Sequence, residues 1–239
     1  MRRPVWTRQA VPGIVAILTC LYWLASGTAA FPQHGQGHEG GEHRRPSDLK
    51  QYLEHLDSSD RDRYQKPEQV IEALALKPGM DVADLGSGSG YFTRRFAKAV
   101  TERGKVYAVD VEPEMLAYAK KSIEQMSIPS TVEFVLAQPD NPKLPKQSVD
   151  LIFICNVYHH LEDRTAYFSK LQSALKDGGR IAIIDFYHDE RSGNVGFPKR
   201  HLVARETVVG ELTKAGYRLL REHDFLPRQY FLEFAPAAP

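Results

Sequence analysis

Three glycines and two acidic residues form the first pattern in this sequence that predicts chemistry. The stretch VADLGSGSGYFT places Gly86, Gly88 and Gly90 directly after a short apolar run that contains Asp84. Glycine adopts positive φ and lets a ligand approach the backbone, so this turn suits a nucleotide or a nucleotide-like cofactor. Asp110 ends a second apolar run, 20 residues after Gly90. A carboxylate in that place has lone pairs for both hydroxyls of a ribose.

The spacing of the glycines argues against two common classes of nucleotide-binding site. They follow G-x-G-x-G, whereas a dinucleotide-binding turn has its third glycine one position later, where this chain has Tyr91. A P-loop needs Lys followed by Ser or Thr, and neither pair follows Gly90. An ordinary turn, with Asp110 capping the next helix, is the alternative to ligand binding. Asp84 lies in an apolar strand, so we expect its carboxylate to pair with backbone amides of the turn or with a cationic ligand group.

Apolar segments of two periodicities surround these residues. Helical spacing predicts five helices, at 69–76, 91–100, 112–126, 164–176 and 204–216. Strand-like runs lie between them, and Gly178–Gly179 predicts a turn before the fifth strand. Strands separated by helices predict right-handed crossovers and a parallel sheet that is covered on both faces.

The last two predicted strands, 217–226 and 229–234, follow each other without a helix. Only Pro227 and Arg228 join them, and so short a connection permits only an antiparallel hairpin. The expected fold class is therefore α/β, a Rossmann-like doubly wound sheet of seven strands. We expect this sheet to be mostly parallel, with the antiparallel hairpin at its C-terminal end.

A polar edge follows the fourth predicted strand, in SVDLIFICNVYHHLED. Ligands of such sheets bind beyond the carboxyl ends of the strands, so Asn156, Tyr158, His159 and His160 are expected at the rim of the site. Histidine is the natural base near neutral pH. Two adjacent side chains cannot both face one cleft, so the alternative for one histidine is packing beneath the next helix. Asp185, which ends the fifth strand, either contacts a substrate or caps a loop.

Composition excludes several classes of protein. The formal net charge is +1, which provides no excess of basic side chains for a dedicated nucleic-acid binder. The two cysteines, Cys20 and Cys155, cannot form a disulfide framework or a multi-cysteine metal site, and we expect no metal in the folded domain. Cys155 lies in a buried strand, where it is expected to be inert.

The N-terminal 30 residues differ from the rest of the chain. Arg2 and Arg3 precede an apolar run, and small residues ending at Ala30 follow it, which is the order of a secretory signal peptide. An uncleaved anchor is the alternative, since residues 10–30 are uncharged and long enough to span a bilayer as a helix. Either reading predicts a domain that is exported, periplasmic or secreted, or anchored to the membrane.

A polar linker is expected to join this segment to the folded domain. Residues 31–47 are rich in Gly, His and Gln, which is typical of a solvated spacer. Metal binding by His34, His38 and His43 is the alternative, although glycines leave such ligands costly to order. The remaining residues, 48–239, are expected to form the folded domain.

Taken together, the motifs resemble the class I S-adenosylmethionine-dependent methyltransferases. They are most similar to bacterial enzymes for small molecules, the ubiquinone-biosynthesis and type 11 groups. VADLGSGSG resembles the first motif of the family, VYAVDVEPEML its second strand, SVDLIFICNVYHHLED its fourth strand and LKDGGRIAIIDF the turn into its fifth. The resemblance covers about residues 64–234.

The resemblance implies S-adenosylmethionine as cofactor and a small-molecule methyl acceptor, with O-, N- and C-methylation left open. It implies that the glycines contact the methionine and ribose parts, that Asp84 orients the methionine end and that Asp110 binds the ribose. Asp140 is the candidate for the adenine contact, because this chain has Ala137-Gln138 where the family often has an acidic residue. The implied cofactor-binding residues are Asp84, Gly86, Ser87, Gly88, Gly90, Asp110, Val111, Asp140 and Asn156. The candidate catalytic residues are Tyr158, His159 and His160.

Two further expectations concern the surroundings of the site. Gln65 and Lys66 either line the entrance for the cofactor or belong to a solvated helix lead-in. The expected partner is a small molecule, with no nucleic acid, and with a membrane only through the N-terminus. Because S-adenosylmethionine is made in the cytosol, the alternative function is an exported, non-catalytic binding protein on a degenerate methyltransferase fold.

Overall fold

Seven strands form one mixed sheet in the computed structural model, which describes residues 49–126, 131–196 and 198–237. The strands are β1 (Val82–Leu85), β2 (Val106–Asp110), β3 (Val132–Leu136), β4 (Val149–Cys155), β5 (Leu175–Phe186), β6 (Tyr217–His223) and β7 (Gln229–Pro236). Their order across the sheet is β3-β2-β1-β4-β5-β7-β6. The order reverses between β1 and β4, so a crevice is expected at the C-terminal ends of these two strands.

The pairing of the strands confirms the predicted fold class. Strands β1 to β5 pair in parallel, whereas β7 is antiparallel to both β5 and β6. The connection in the hairpin is longer than predicted, because β6 ends at His223 and β7 begins at Gln229. Leu226, predicted to lie in β6, instead turns inward and packs in the core, where it is 2% exposed.

Seven α-helices accompany the sheet in the described part of the chain. They are α1 (Leu49–Leu56), α2 (Ser59–Gln65), α3 (Pro67–Ala73), α4 (Thr93–Val100), α5 (Pro113–Gln125), α6 (Arg164–Leu171) and α7 (Arg205–Lys214). The sequence pattern does not predict α1 and α2. Lys66 has φ 43° and ψ 57°, which ends α2, and Pro67 begins α3 at a position where no backbone N–H is needed.

The predicted helix at 164–176 is too long at its C-terminal end. Helix α6 stops at Leu171, and Leu175 already belongs to β5, where it pairs with Val149. Gly178 has φ 76°, and it lies inside β5 near a shift in register rather than in a turn between elements. The pairing of Leu175 with a buried neighbour therefore outweighs the helical spacing of the preceding residues.

Apolar layers cover both faces of the sheet. On one face the rings of Phe92 and Phe96 contact Phe153, with centroids 4.7 and 5.0 Å apart. On the other face Tyr158 and Phe168 pack together, at 5.4 Å. Because the central strands are buried on both faces, the sheet is a fixed support for the residues at its C-terminal edge.

The predicted N-terminal segments lie outside the described residues. The signal peptide or anchor of residues 1–30 and the linker of residues 31–47 therefore stay predictions. Among the helices that the structure describes, none has the length and apolar character needed to cross a membrane.

Two glycines with positive φ allow a test of how closely the glycine turn after β1 is packed. At Gly86, with φ 73°, an added Cβ would overlap the side chain of Val157, whereas at Gly178, with φ 76°, nothing lies within 4 Å. We expect Gly178→Ala to lower the free energy of unfolding by about 1–2 kcal/mol from backbone strain alone. Gly86→Ala should cost about 1–3 kcal/mol more, because the overlap adds to the strain.

Urea unfolding of the two variants measures this difference. Adding Val157→Ala to Gly86→Ala should recover part of the loss, since it removes the overlapping methyl groups. Equal losses for the two single variants would show that the turn is not closely packed.

Candidate functional site

The glycine turn after β1 is hydrogen-bonded to the end of β2. The amides of Gly86 and Ser87 both donate to the carbonyl oxygen of Val109, at 2.8 and 3.0 Å. Gly86, Gly88 and Gly90 have φ of 73°, 53° and 79°, a region that favours glycine. The turn therefore adopts the backbone conformation that its glycines predict.

Asp110 connects this turn to the start of α5. Its Oδ2 accepts the amide of Gly88 at 2.8 Å, and its Oδ1 accepts the amide of Glu112 at 3.0 Å. Burial raises the pKa of the Asp110 carboxyl group, and the backbone N–H donors act against that rise. The contact with Glu112 lies just before α5, whose N-cap residue is Glu112 and which has no side-chain cap hydrogen bond, so Asp110 does not cap this helix. Each carboxylate oxygen has further lone pairs, so these contacts leave capacity for a ribose hydroxyl.

Asp84 is a buried carboxylate at the end of β1, with 3% of its surface exposed. Its Oδ2 accepts the hydroxyl of Thr93 at 2.6 Å. Of the two expected partners, the amides of the glycine turn are replaced by Thr93, at the start of α4, and the cationic ligand group stays a prediction. Burial raises the pKa of Asp84 to about 6, against the effects of Thr93 and of the Arg61 guanidinium. A hydroxyl at the start of the helix that follows the glycines is the signal that could have found Thr93.

Three side-chain amides, two of them buried, meet where β4 and β7 approach α2. Gln229 Nε2 donates to Asn156 Oδ1 at 2.5 Å, and Asn156 Nδ2 donates to Gln65 Oε1 at 3.4 Å. Gln65 and Gln229 are fully buried, and Asn156 has φ 59°. Gln65 is therefore neither a surface lead-in nor an open entrance. Lys66 donates to the carbonyl oxygen of Phe225 at 2.7 Å, which ties the end of α2 to the hairpin loop.

The aromatic candidate after β4 is not at the rim of the site. Tyr158 is fully buried, and its hydroxyl donates to Glu211 Oε2 at 2.5 Å in the layer beneath α7. Arg164 completes this contact by pairing with Glu211 at 2.7 Å. The expected position of Tyr158 is therefore wrong, because a large ring gains more from burial beside Phe168 than from exposure at the edge.

The two histidines have different surroundings. The His159 Nδ1 atom lies 2.8 Å from Asp185 Oδ1, and the side chains of the two residues are 2% and 0% exposed. His160 is exposed, and its ring centroid is 4.1 Å from that of His159. Asp185 also accepts the amides of His159 and Phe186, so it holds the segment after β4 against the end of β5.

The remaining predicted residues lie around this edge. Val111, half-buried, directly follows Asp110, and the amide of Ala137 donates to the Asp110 carbonyl oxygen at 2.8 Å. The Asp140 side chain is 80% exposed, 4.0 Å from Lys170. Cys155 is buried, and burial raises the pKa of its thiol to about 12, as expected for an inert cysteine. Within the described ranges no cluster of His, Cys, Asp or Glu is suited to a metal ion.

The segment between α1 and α2 covers the glycine turn, which the sequence did not predict. Asp57 accepts hydrogen bonds from Ser89 Oγ at 2.8 Å, Arg94 Nη2 at 2.7 Å and Tyr118 OH at 3.2 Å. Ser58 caps α2 by accepting the amide of Asp60. An Asp-Ser pair before a polar helix is a recognisable helix start, and this signal could have identified α2.

Comparison with known proteins agrees with this geometry. Residues 82–179 match the model of a methyltransferase domain family. The chain is 31% identical to the ubiquinone/menaquinone biosynthesis C-methyltransferase UbiE of Shewanella frigidimarina over 117 residues, which are 49% of this chain and 47% of that protein. The match thus spans about half the length of this curated relative.

Solved structures extend the similarity over more of the chain. A SAM-dependent methyltransferase from Aquifex aeolicus is 29% identical, with a TM-score of 0.73 over 79% of this chain and 98% of that one. An S-adenosylmethionine-dependent methyltransferase from Mesorhizobium loti shares the fold, at 17% identity and a TM-score of 0.58 over 70% and 95% of the two chains. Residues 82–179 therefore match a methyltransferase domain, and the sheet has the fold of the solved S-adenosylmethionine-dependent methyltransferases. These similarities agree with the class and the cofactor that the motifs predicted.

Buried polar atoms at the turn fit such a cofactor. Ser87 Oγ and Arg61 Nε are buried and have no hydrogen-bond partner in the described structure. A buried polar group without a partner is unfavourable, so these atoms suit a polar ligand. Asp84 adds negative charge for an ammonium group, and the Asp110 carboxylate adds hydrogen-bond acceptors for hydroxyls.

The raised pKa of Asp84 predicts a measurable dependence of stability on pH. Folded Asp84 titrates at about 6, whereas an unfolded aspartate titrates near 4. The folded state therefore holds the proton more tightly, and Asp84 lowers stability as the pH rises from about 4 to 7, by at most about 3 kcal/mol. Asp84→Asn keeps a side-chain oxygen that can accept the Thr93 hydroxyl. Because asparagine does not titrate, the variant does not lose stability in this way as the pH rises. We expect its free energy of unfolding, relative to the parent, to rise between pH 4 and pH 8.

Urea unfolding at several pH values tests this expectation. Asp177→Asn is the matched control, because Asp177 is exposed, near the start of β5. A difference between parent and Asp84→Asn that stays constant from pH 4 to pH 8 would contradict a raised pKa at Asp84.

Proposed function

We propose that this protein transfers a methyl group from S-adenosylmethionine to a small-molecule acceptor. The observation that carries the proposal is the glycine turn, which is held to β2 by Val109 and Asp110 and lies within the matched methyltransferase domain. Asp110 binds the ribose in this proposal, and the glycines and Ser87 approach the sugar and the methionine part. Asp84 attracts the ammonium group of the methionine end.

Methyl transfer requires little of the protein beyond the positioning of the methyl donor and the acceptor. S-adenosylmethionine, when bound, supplies a methyl group on a positively charged sulfur. Holding donor and acceptor in line contributes roughly 7–11 kcal/mol to such reactions, and the fixed sheet edge provides the support for it. The segment after β4, with Asn156 at its start, lies beside the glycine turn, since β1 and β4 are paired neighbours.

A proton acceptor is needed only when the methyl acceptor loses a proton. Asp185 holds His159 through Nδ1, so in a neutral ring Nε2 carries the lone pair. The buried position of His159 equally suits a role in fixing the end of β4. His160 is exposed at the same edge and is the more accessible of the two candidate bases.

The ribose contact can be tested by cofactor binding. Asp110→Ala should weaken binding of S-adenosylhomocysteine by tenfold or more, about 1.4 kcal/mol, because it removes the acceptor for the hydroxyls and the clamp on Gly88. Calorimetric titration of the full chain measures this affinity, with Asp177→Ala as an exposed control. Unchanged affinity in Asp110→Ala would refute the role of Asp110. A folded parent protein that binds no S-adenosylhomocysteine would favour the alternative, a non-catalytic binding protein.

We also propose that the domain is exported, or anchored through residues 10–30. The support is the order of basic, apolar and small residues in the first 30 positions. Alkaline phosphatase fused after Ser47 should be active, because this reporter needs the oxidising side of the membrane. The same fusion without residues 10–30 is the control and should be inactive. An inactive full fusion would place the domain in the cytosol.

A further inference from the structure

Arg61 extends from α2 across the residues between the glycine turn and α4. Its Cζ lies 4.0 Å from the ring centroid of Tyr91 and 5.8 Å from that of Phe92, the two residues after Gly90. Its Nη1 donates to the carbonyl oxygen of Leu56 at 3.0 Å. The guanidinium is therefore held in place by an aromatic face and a backbone oxygen.

This cation lies near the C-terminal ends of both central strands. Its charge opposes the rise in the pKa of Asp84, at the end of β1. The same charge opposes the rise in the pKa of the Cys155 thiol, at the end of β4. Arg61 thus stands over the crevice where the strand order reverses, which is the ligand position of such sheets.

Arg61 has no carboxylate partner in the described part of the chain. Other arginines here do, since Arg94 pairs with Asp57 at 2.7 Å and Arg164 pairs with Glu211 at 2.7 Å. The adjacent Asp62 is turned away, toward Tyr91 and Arg95. The Nε atom of Arg61 is buried and has no hydrogen-bond partner. A partly buried guanidinium in this state is a site for an anion.

We propose that Arg61 binds the carboxylate of the amino-acid end of S-adenosylmethionine, a role that rests on the proposed function. The planar guanidinium matches a carboxylate, and Asp84 provides the opposite charge for the neighbouring ammonium group. One half-buried cation and one buried anion at the same crevice suit a zwitterion. Arg61 lies outside the matched residues 82–179, so the N-terminal helices complete the cofactor site.

The test compares two ligands that differ only in the carboxylate. S-adenosylhomocysteine and its decarboxylated form are titrated calorimetrically into the full chain. The parent should prefer S-adenosylhomocysteine, and Arg61→Met should weaken its binding by about 10- to 100-fold, the loss of a charged hydrogen-bonded contact. Affinity for the decarboxylated ligand should change little. Arg61→Lys, which keeps the charge without the planar pair of donors, should give an intermediate loss.

Arg63→Met is the matched control, since Arg63 lies on the same helix and its side chain is 85% exposed. It should leave both affinities unchanged. Equal losses for the two ligands in Arg61→Met would show a structural role for Arg61 and overturn the proposal. Equal affinities of the parent for the two ligands would also overturn it, whether or not the variants fold. A parent that binds neither ligand would overturn the proposed function together with this role.

Discussion

The glycine turn is hydrogen-bonded to the end of the neighbouring strand, and the rest of the site depends on this attachment. Two successive amides share the Val109 carbonyl oxygen, and the Gly88 amide donates to the Asp110 carboxylate. These bonds offset the conformational entropy that a segment with several glycines loses on ordering. Asp110 also accepts the amide of Glu112, the residue before α5. One carboxylate therefore sets the turn and the start of a helix on the same side of the sheet.

The second constraint is the charge that the fold buries beside this turn. Asp84 has one hydroxyl partner, and Arg61 has an aromatic ring and a carbonyl oxygen rather than an acid. Placing either charged group in this position without a charged partner lowers the stability of the folded protein. Their opposite charges at the ends of neighbouring elements are consistent with selection for a zwitterionic ligand. Stability and binding are thus opposed at Asp84.

Local patterns in the sequence are sufficient to predict the central sheet. The buried runs at β1, β2 and β4 and the short link before β7 require a parallel sheet with an antiparallel tail. The helices α1 and α2 escape prediction because they are short and polar, and their place is set by long-range contacts. Asp57, for example, is held by Ser89, Arg94 and Tyr118, which are distant in sequence.

Positions within the site were predicted less completely than the elements that carry them. Asp84, Asp110 and the glycines are identified by their place after buried strands. The position of Tyr158 is not identified in this way. Successive side chains near a strand end point in alternate directions, and the Tyr158 ring points into the apolar layer that contains Phe168. Thr93 and Arg61 act from helices, where a polar residue at one position has no distinct periodic signal.

A crystal structure of the full chain with S-adenosylhomocysteine would show which residues contact the cofactor. We expect the ribose hydroxyls within hydrogen-bond distance of Asp110, with the amino-acid end between Asp84 and Arg61. A ligand that occupies the crevice without touching Asp110, or that binds elsewhere on the sheet, would contradict this expectation.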